Sequence, residues 1–590
     1  MKKFTALLLA LAMVFALAAC GGGNTSAPAS TSGSSAGSAA SSGSGETTPV
    51  AATGDPVEGG SITVFWQEFY NGYDPSIADN RNYALWFDRL WSPDWNSSRE
   101  DYQWDSEYIT MDYMTGQIAD SWSFDSEAMA LSVTIRDDVY FQEKTGDLAQ
   151  YDVYGGRQLT AEDVAWSYQR LLGLDGVAKC ESEQDWSSKL PMLESVEVVD
   201  DLNLIFHFNT GSETALNDFM IAGVCIGGVE WDTLSSDQKS DWHYACGTGP
   251  YMIVDYVADS YMTFAKNPNY YQTDDQGNQL PYLDEIKLVC ITDSANSVAQ
   301  FISGSIDILG WGNDVISDSE KQQLRDSMPE GSYVEYSYVT NPCGIFLKQC
   351  YEPLADIRVR TAIQKAIDLE TITTQYYGYD LSELQLFGVW SQSTDWSSVS
   401  DWDQELTDSF AYDPEAAKAL LEEAGYGDGF EFTVTLFAMM DVDLYTLVAE
   451  QLAQVGITMN IETVPTPPEM QAIGMDKTDN RCIPGTVCLY SMNQASQSYL
   501  SYGNNNNGAF NDPEMDALFE ALSASQTLEE QVANAKAADE YVAQQHYTIQ
   551  CGPCEKVNSY ISSRIGGYSG ERLWKNWNVT TILTNIWVNQ

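Results

Sequence analysis

The composition of the chain changes near residue 60, and this change decides which part of it can fold around a core. Residues 21–59 consist mostly of Gly, Ser, Ala, Thr and Pro. Such a segment cannot bury enough apolar surface to offset the entropy lost on ordering, so it is predicted to be a flexible linker with a reach of roughly 35 Å. The folded body therefore extends from Gly60 to Gln590, which is long enough for two or more domains.

The N-terminus has the pattern of a secretion signal. Lys2 and Lys3 precede an uncharged apolar run, Phe4 to Ala16, that is too short for a comfortable membrane span. The sequence Leu-Ala-Ala-Cys follows and ends at Cys20. It resembles the lipobox of bacterial lipoproteins, which implies that residues 1–19 are a cleaved signal peptide and that Cys20 carries the lipid. An ordinary signal peptide in front of an unrelated Cys is the alternative.

Short strand-like runs alternate with helical segments along the body. Ser61 to Trp66 is predicted to be a strand, and the segment after Thr160 is predicted to be a helix that Thr160 caps. Asp413 and Asp512 are each followed by Pro, and this pair opens a helix because Asp caps and Pro fits the first helical position. The second of these helical stretches is predicted to reach about Gln545. The predicted fold class is mixed α/β.

Charge and residue spacing exclude several function classes. The formal net charge of −57 argues against nucleic acid, because nothing in the chain would neutralise phosphates. The three His residues, His207, His243 and His546, form no close ligand pair, and the acidic loop 273–285 lacks EF-hand spacing. No catalytic constellation is present. The chain is therefore predicted to be a non-enzyme without a metal site or cofactor.

Ten of the eleven Cys residues lie beyond Cys20, in a chain predicted to be exported. Short separations make Cys482–Cys488, Cys343–Cys350 and Cys551–Cys554 the easiest disulfides to form, although sequence does not determine connectivity. Buried thiols are the alternative.

The last of these pairs lies in Cys551-Gly552-Pro553-Cys554, which matches the active-site tetrapeptide of thioredoxin-like oxidoreductases. A secreted thiol–disulfide oxidoreductase is therefore an alternative of a different class. Residues 555–590 are too few to complete a thioredoxin domain after such a motif. The Gly-Pro step is predicted instead to be a turn at the end of a strand.

A series of motifs runs in order over nearly the whole body. They read GGSITVFW, GQIADSWSFDSEAMALSVTIRDDVYFQ, LTAEDVAWSYQRL, GTGPYMIVDY, KNPNYY, SGSIDI, LADIRVRTAIQKAID, YDPEAAKALLEEAGY, LAQVGITMNIE and NDPEMDALF. In this order they resemble the extracytoplasmic solute-binding proteins of ABC importers, of the oligopeptide/dipeptide-binding type (bacterial solute-binding protein family 5).

The resemblance implies a fold of the periplasmic-binding-protein-like type II, with two lobes, hinge strands and an extra domain beside the first lobe. Lobe I would comprise residues 60–79, 196–339 and 546–590. The extra domain would comprise residues 80–195, and lobe II residues 340–545. Residues 20–59 would form the lipid-anchored linker.

The resemblance also implies a function. A peptide or peptide-like solute would be captured between the lobes and delivered to the permease subunits of an ABC transporter. The protein would be a monomer on the outer face of the bacterial cytoplasmic membrane, held there by lipidated Cys20. An oligosaccharide or other non-peptide solute is the alternative ligand within the same class.

Ligand-binding candidates are aromatic and amide side chains near strand ends that face the implied cleft. For each of them, packing inside a lobe is the alternative role. Aromatic faces suit peptide side chains and sugar rings alike, so they do not choose between ligands. The candidates are Trp66, Gln67, Phe69, Tyr70, Trp311, Phe346 and Trp390.

One position departs from the pattern of the peptide-binding members. There, a segment resembling Trp-x-x-Asp-Tyr supplies an Asp that pairs with the ligand's α-ammonium group. The corresponding stretch here offers Asn493 and no carboxylate. A neutral amide is a poorer partner for a buried ammonium, so this departure weakens the case for a free peptide N-terminus. Asn493 is retained as a ligand-binding candidate.

Overall fold

A computed structural model describes residues 55–66, 69, 72–76, 85–99, 104, 109–181, 186–310, 316–390, 396–438, 440–485, 492–571 and 578–589. The strands are β1 (Ser61–Trp66), β2 (Trp91–Pro93), β3 (Met114–Gly116), β4 (Ala119–Asp125), β5 (Ala130–Ile135), β6 (Leu193–Val198), β7 (Asn203–Phe208), β8 (Tyr251–Val257), β9 (Tyr261–Lys266), β10 (Glu285–Cys290), β11 (Ile308–Leu309), β12 (Tyr333–Phe346), β13 (Phe430–Phe437), β14 (Ile457–Val464), β15 (Ile483–Pro484), β16 (Thr548–Ser562), β17 (Ile565–Gly566) and β18 (Trp587–Val588).

The α-helices are α1 (Ala161–Leu172), α2 (Trp186–Lys189), α3 (Glu213–Met220), α4 (Ser236–Lys239), α5 (Ser294–Ile302), α6 (Asp318–Ser327), α7 (Glu352–Ala355), α8 (Ile357–Lys365), α9 (Leu369–Thr371), α10 (Gln404–Ser409), α11 (Pro414–Ala424), α12 (Val442–Ala453), α13 (Pro467–Met475), α14 (Met492–Tyr499), α15 (Pro513–Ser523), α16 (Leu528–Gln545) and α17 (Asn578–Asn585). A π-helical turn, Ile372–Tyr376, follows α9. Within the described ranges, no helix is both long and apolar enough to cross a bilayer.

The first lobe is built around the central part of the largest sheet. In the described part of the chain, this sheet has eight strands in the order β15-β12-β16-β11-β1-β10-β9-β8. Strand β1 lies between β10 and β11 and is parallel to both, whereas β8, β9 and β10 pair antiparallel. Ile62 and Val64 pack into one core and Phe65 into another on the opposite face. The predicted first strand is confirmed, and its burial on both faces explains its apolar sequence.

The second lobe has a parallel pair, β13 and β14, at its centre. The helix α11 begins and ends at the predicted residues: the Asp413 carboxylate accepts from the backbone N–H of Ala416 at 2.9 Å, and Gly425 adopts φ +90° after the last turn. Its buried Leu421 joins Leu436 of β13 and Ile457 of β14 in one core. The predicted helical stretch after Asp512 is confirmed as two helices, α15 and α16.

The extra domain is an antiparallel sheet covered by α1. In the described residues it has four strands in the order β4-β5-β7-β6. Thr160 forms the predicted cap, with its backbone N–H donating to Asp163 Oδ2 at 3.0 Å, and Tyr168 of α1 packs edge-on against Phe206 of β7. The sheet extends to Phe208, beyond the predicted boundary between residues 195 and 196, because β7 lies between β5 and β6.

Helix α3, whose Phe219 packs edge-on against Phe206 of the extra-domain sheet, also touches the second lobe. The Ser212 hydroxyl, which caps α3, donates to the backbone carbonyl of Ser525, and the backbone N–H of Glu213 donates to the Gln526 carbonyl at 3.1 Å. Phe219 of α3 and Phe519 of α15 belong to one continuous core. Helix α3 therefore links the extra-domain sheet to the second lobe through buried contacts.

Candidate ligand-binding cleft

Three parallel strands of the first lobe end at one edge of the large sheet. Strand β1 ends at Trp66, β10 at Cys290 and β11 at Leu309. In open α/β sheets, ligands bind in the crevice outside the carboxyl ends of the parallel strands. This edge is therefore one wall of the candidate cleft.

The second lobe presents a similar edge. Strands β13 and β14 run parallel and end at Phe437 and Val464, and Cys482, just before β15, forms a parallel bridge with Val434. The carboxyl ends of these three segments lie at the same edge. We take this edge as the second wall of the candidate cleft.

Two long strands cross from one lobe to the other. In the first lobe β12 and β16 pair from Tyr333–Ser562 to Val339–Lys556, and β11 pairs with the same end of β16. At their other ends Ile345 and Ile549 pack into the core of the second lobe. The pairing shifts register between these regions, at residues 339–344 of β12. We call this irregular part of β12 and β16 the hinge.

The candidates of the first lobe are only partly within the described residues. Trp66 ends β1 and is buried against the lobe I core. Phe69 is half-buried and packs edge-on against Tyr256, with ring centroids 5.7 Å apart. Gln67, Tyr70 and Trp311 lie outside the described residues, as does Cys20. Ligand contact by the five ligand-binding candidates of this lobe stays a prediction, and so does lipid attachment at Cys20.

The candidates of the second lobe are packed among other side chains. Phe346, the last residue of β12, is buried and lies edge-on to Tyr499, with ring centroids 6.4 Å apart. Trp390 is buried, and its indole N–H donates to the backbone carbonyl of Ala535 at 3.2 Å. These contacts satisfy the alternative role of packing, and ligand contact stays a prediction. Asn493 has its backbone in α14, but its side chain lies outside the described part of the structure.

An aromatic stack in the second lobe was not among the predicted candidates. Tyr499 is nearly parallel to Phe519, with centroids 5.0 Å apart and 4° between the rings, and to Phe510 at 5.6 Å and 6°. Because Phe346 packs on this stack, α14 and α15 fix the end of the strand that enters lobe II. No local spacing signals the stack, since its rings come from three separate segments.

Asp539 is a second residue that sequence reasoning missed. It lies on α16, fully buried, and its Oδ1 accepts from the backbone N–H groups of Val389 at 2.5 Å and Trp390 at 3.0 Å. Its Oδ2 accepts from the backbone N–H of Ser398 at 2.8 Å and from the Ser398 hydroxyl at 2.7 Å. Asp539 therefore holds the chain on both sides of residues 391–395. In sequence it is one acid among many on an acidic helix, so no local pattern distinguishes it.

The Cys-Gly-Pro-Cys tetrapeptide lies inside β16, at the hinge. Gly344 pairs with Gln550 and Pro342 with Cys554, so residues 551–553 of β16 together oppose Cys343 alone. The prediction of a turn at a strand end is wrong, because the strand continues through a bulge, where a Pro without an N–H is tolerated.

Cys551 lacks the activated thiol of a thioredoxin-like active site. Burial raises the pKa of the Cys551 thiol, the opposite of the lowered pKa that activates a catalytic Cys. None of the three disulfides predicted as easiest is formed, since Cys350, Cys482 and Cys551, one from each pair, are free thiols. Cys488 itself lies outside the described residues.

The acidic loop 273–285 uses its first Asp for internal hydrogen bonds. Asp274 accepts from the backbone N–H of Asn278 at 2.7 Å and from the Tyr282 hydroxyl at 2.6 Å. These bonds hold the pKa of the Asp274 carboxyl below its usual value, against the effect of desolvation. Across the described ranges, no group of three or more His, Cys, Asp or Glu side chains is placed to hold a metal ion.

Two α/β lobes, joined by paired crossing strands and with a candidate cleft at the carboxyl ends of their parallel strands, define a hinged solute-binding protein. Comparison with protein families agrees with this class. The model of bacterial extracellular solute-binding proteins, family 5 (middle region) matches residues 114–515, and the chain belongs to this family.

Two curated relatives illustrate the range of the family. Heme-binding protein A of Haemophilus influenzae is 24% identical over 477 residues, which cover 76% of this chain and 82% of that protein. The dipeptide-binding protein of Escherichia coli is 25% identical over 308 residues, covering 50% of this chain and 53% of that protein.

Solved structures share the fold over most of the chain. The periplasmic binding protein DppA of Helicobacter pylori, in complex with peptide STSA, has a TM-score of 0.67 at 18% identity and covers 90% of this chain and 99% of its own. The binding protein AgaA of A. tumefaciens, in complex with agropinic acid, has a TM-score of 0.67 at 17% identity and covers 90% and 99%. The predicted family and the predicted two-lobe type II fold are confirmed.

Proposed function

We propose that the protein captures a peptide or peptide-like solute between its two lobes and delivers it to an ABC permease. The observation that carries this proposal is the family match over residues 114–515, in a chain whose lobes are joined by the hinge. Several curated relatives are named as peptide-binding proteins, including the dipeptide-binding protein. We infer the same ligand class for this chain.

The hinge explains how capture would work. The lobes are connected by two paired strands whose ladder is interrupted where they cross, so backbone changes can concentrate at that point. A ligand that contacts both walls of the cleft binds the closed state better than the open state, and this difference in affinity shifts the population toward closure. Proton transfer and covalent chemistry are not needed for this function.

A non-peptide solute is the second candidate ligand, and the composition of one stretch in the second lobe supports it. The stretch Gly485 to Ser498 contains no Asp or Glu to pair with the α-ammonium group of a peptide. An oligosaccharide or other polar solute would not require that carboxylate.

Thermal-shift measurements separate these candidates. The secreted protein, with Cys20 replaced by Ser so that it is not acylated, is screened against a pool of short peptides and a pool of oligosaccharides. A ligand present at 100 times its Kd stabilises the native state by about 2.7 kcal/mol, so the melting temperature should rise with the peptide pool. N-acetylation of a responding peptide then tests its α-ammonium group. No response to peptides, with a response to sugars, would overturn the peptide proposal.

We also propose that lipidated Cys20 anchors the protein to the outer face of the cytoplasmic membrane, as a monomer that works with permease subunits. The candidate lipobox ending at Cys20 and the linker behind it support this arrangement. Cell fractionation tests it: the native protein should sediment with membranes and the Cys20→Ser variant should not. Equal membrane association of both proteins would contradict the anchor.

A further inference from the structure

Two cysteines, Cys343 on β12 and Cys551 on β16, lie at the bulge of the hinge. The regular register Phe346–Thr548, Ile345–Ile549 and Gly344–Gln550 ends at the bulge, where Cys343 opposes residues 551–553 and the first of these is Cys551. The two cysteines are 208 positions apart in sequence, by the difference 551 − 343, so no spacing rule pairs them.

Both side chains point to the same face of the sheet. Ile345 and Ile549 pack into the lobe II core, and residues two positions along a strand return to the same face. Cys551 is a member of that core and Cys343 packs against it. A methyl group placed on the intervening Gly552 would lie 3.8 Å from the Cβ of Cys343, so the bulge brings β16 close to this cysteine.

We propose that Cys343 and Cys551 form a reversible disulfide that links the two hinge strands. The adjoining pair Gly344–Gln550 is directly opposed, and such pairs in antiparallel strands have Cα atoms about 4.5–5.5 Å apart. One residue further along each strand, we infer a Cα separation within the roughly 4.4–6.8 Å that a disulfide requires. Cys554, the partner suggested by the tetrapeptide, pairs instead with Pro342 on the other side of the bulge.

The chemistry is thiol–disulfide exchange with an external disulfide. Cys343 is the more accessible thiol, half-buried with its sulfur 3.4 Å from the Tyr377 hydroxyl, whereas Cys551 is fully buried. The Cys343 thiolate attacks the disulfide RSSR, releasing RS⁻ and forming a mixed disulfide. The Cys551 thiolate then attacks the Cys343 sulfur and releases the second RS⁻. The two cysteines lose two protons and two electrons, and RSSR is reduced to two RSH.

The bond would restrain the hinge at its lobe II end. The bulge at residues 551–553 is where the paired strands are free to change their backbone angles, because their ladder is interrupted there. A covalent link between Cys343 and Cys551 would fix the spacing of the two strands at the lobe II end of the bulge. We therefore expect the oxidised protein to have a stiffer hinge and a higher melting temperature than the reduced protein. Neither expectation depends on the identity of the solute.

Peptide mapping of the full-length protein tests the pairing directly. The protein is incubated with oxidised or reduced glutathione, remaining thiols are alkylated, and non-reduced digests are analysed by mass spectrometry. A linked peptide containing Cys343 and Cys551 is expected only after oxidation. A link from Cys551 to Cys554, or complete alkylation of both Cys343 and Cys551 after oxidation and refolding, would overturn the proposal.

Two further measurements separate a hinge disulfide from a merely local one. Oxidation should raise the melting temperature by about 3–5 °C and should slow deuterium uptake in peptides covering residues 548–562. Cys343→Ser should abolish both effects, whereas the matched variant Cys554→Ser should retain them. If the Cys343→Ser variant still responds to oxidation, or Cys554→Ser does not, the assignment is wrong. The peptide map of the unsubstituted protein remains decisive if a variant fails to fold.

Discussion

Asp539 offers the most direct test of how helix α16 holds the chain on both sides of residues 391–395. Its carboxylate accepts four hydrogen bonds, from two consecutive backbone N–H groups at Val389 and Trp390 and from the N–H and hydroxyl of Ser398. Asp539→Ala removes all four acceptor contacts and leaves three backbone donors buried without a partner. Asp539→Asn keeps the shape of the side chain but replaces one acceptor oxygen by an NH₂ group. This group is itself a donor, and it would face two of the four donors.

The structure allows the size of each effect to be estimated. An unsatisfied buried donor costs about 1–3 kcal/mol, and hydrogen bonds to a charged group are worth about 1.5–3 kcal/mol each, without being additive. We therefore expect Asp539→Ala to lower the free energy of unfolding by about 4–6 kcal/mol. Asp539→Asn retains two of the four bonds and should lower it by about 2–4 kcal/mol.

Equilibrium urea denaturation, followed by tryptophan fluorescence, measures both values. Trp390 and Trp402 report on this region, because the Trp402 indole donates to the Ser398 hydroxyl at 2.8 Å. Glu540→Gln is the matched control: it removes one acid from the next position of the same helix, where the side chain accepts a hydrogen bond from Gln544 at 3.1 Å. The control should change the free energy of unfolding by less than about 0.5 kcal/mol.

A loss below about 1 kcal/mol for Asp539→Ala, or equal losses for Asp539→Ala and Glu540→Gln, would contradict these expectations. Either result would mean that the four donors find other acceptors once the carboxylate is gone. It would also show that apolar packing alone holds α16 to the chain on both sides of residues 391–395.

Three further predictions concern buried charged or titratable groups. Burial raises the pKa of Asp88 from 3.8 to about 7, despite hydrogen bonds such as the one from the Tyr270 hydroxyl. The native state therefore holds a proton on Asp88 that the unfolded state releases above about pH 4. Up to about 4 kcal/mol of stability is lost as pH rises from 4 to 7. Asp88→Asn should flatten this slope in pH-dependent denaturation. Burial lowers the pKa of His546 to about 3, so stability should fall as pH drops from 6.5 toward 3, and His546→Phe should reduce that fall. Arg170 forms a two-pronged ion pair with Asp74 at 2.6 and 3.1 Å, and Arg170→Met should lower the urea midpoint by an amount equivalent to about 3–5 kcal/mol.

Each of these predictions has a distinct contrary outcome. For Asp88→Asn it is an unchanged difference in stability between pH 4 and 7, relative to the parent protein. For His546→Phe it is an equal change in the free energy of unfolding at every pH between 6.5 and 3. For Arg170→Met it is an unchanged midpoint, which would show that Asp74 and the neighbouring Asp232 are stabilised without the guanidinium.

Sequence patterns predicted the elements whose signals are local. Thr160, Asp413 and Asp512 begin helices where a capping side chain and the next few residues are sufficient. Strand β1 was predicted from six consecutive residues, and the order of motifs predicted the family that the match over residues 114–515 establishes. The predicted site followed from this resemblance, and Gln67, Tyr70 and Trp311 lie outside the described residues.

The sequence by itself therefore determined the helix starts and the central strand, because each depends on residues close together in the chain. It also determined the family, because the order of short motifs along the chain can be read without knowing how they pack. The tertiary structure alone decided that β16 continues through Cys-Gly-Pro-Cys, that Cys343 opposes residues 551–553, and that Asp539 is a buried acceptor. Strand register and burial are set by contacts between segments far apart in the chain. In this chain the tetrapeptide forms a bulge because β12 pairs with β16 on both sides of it.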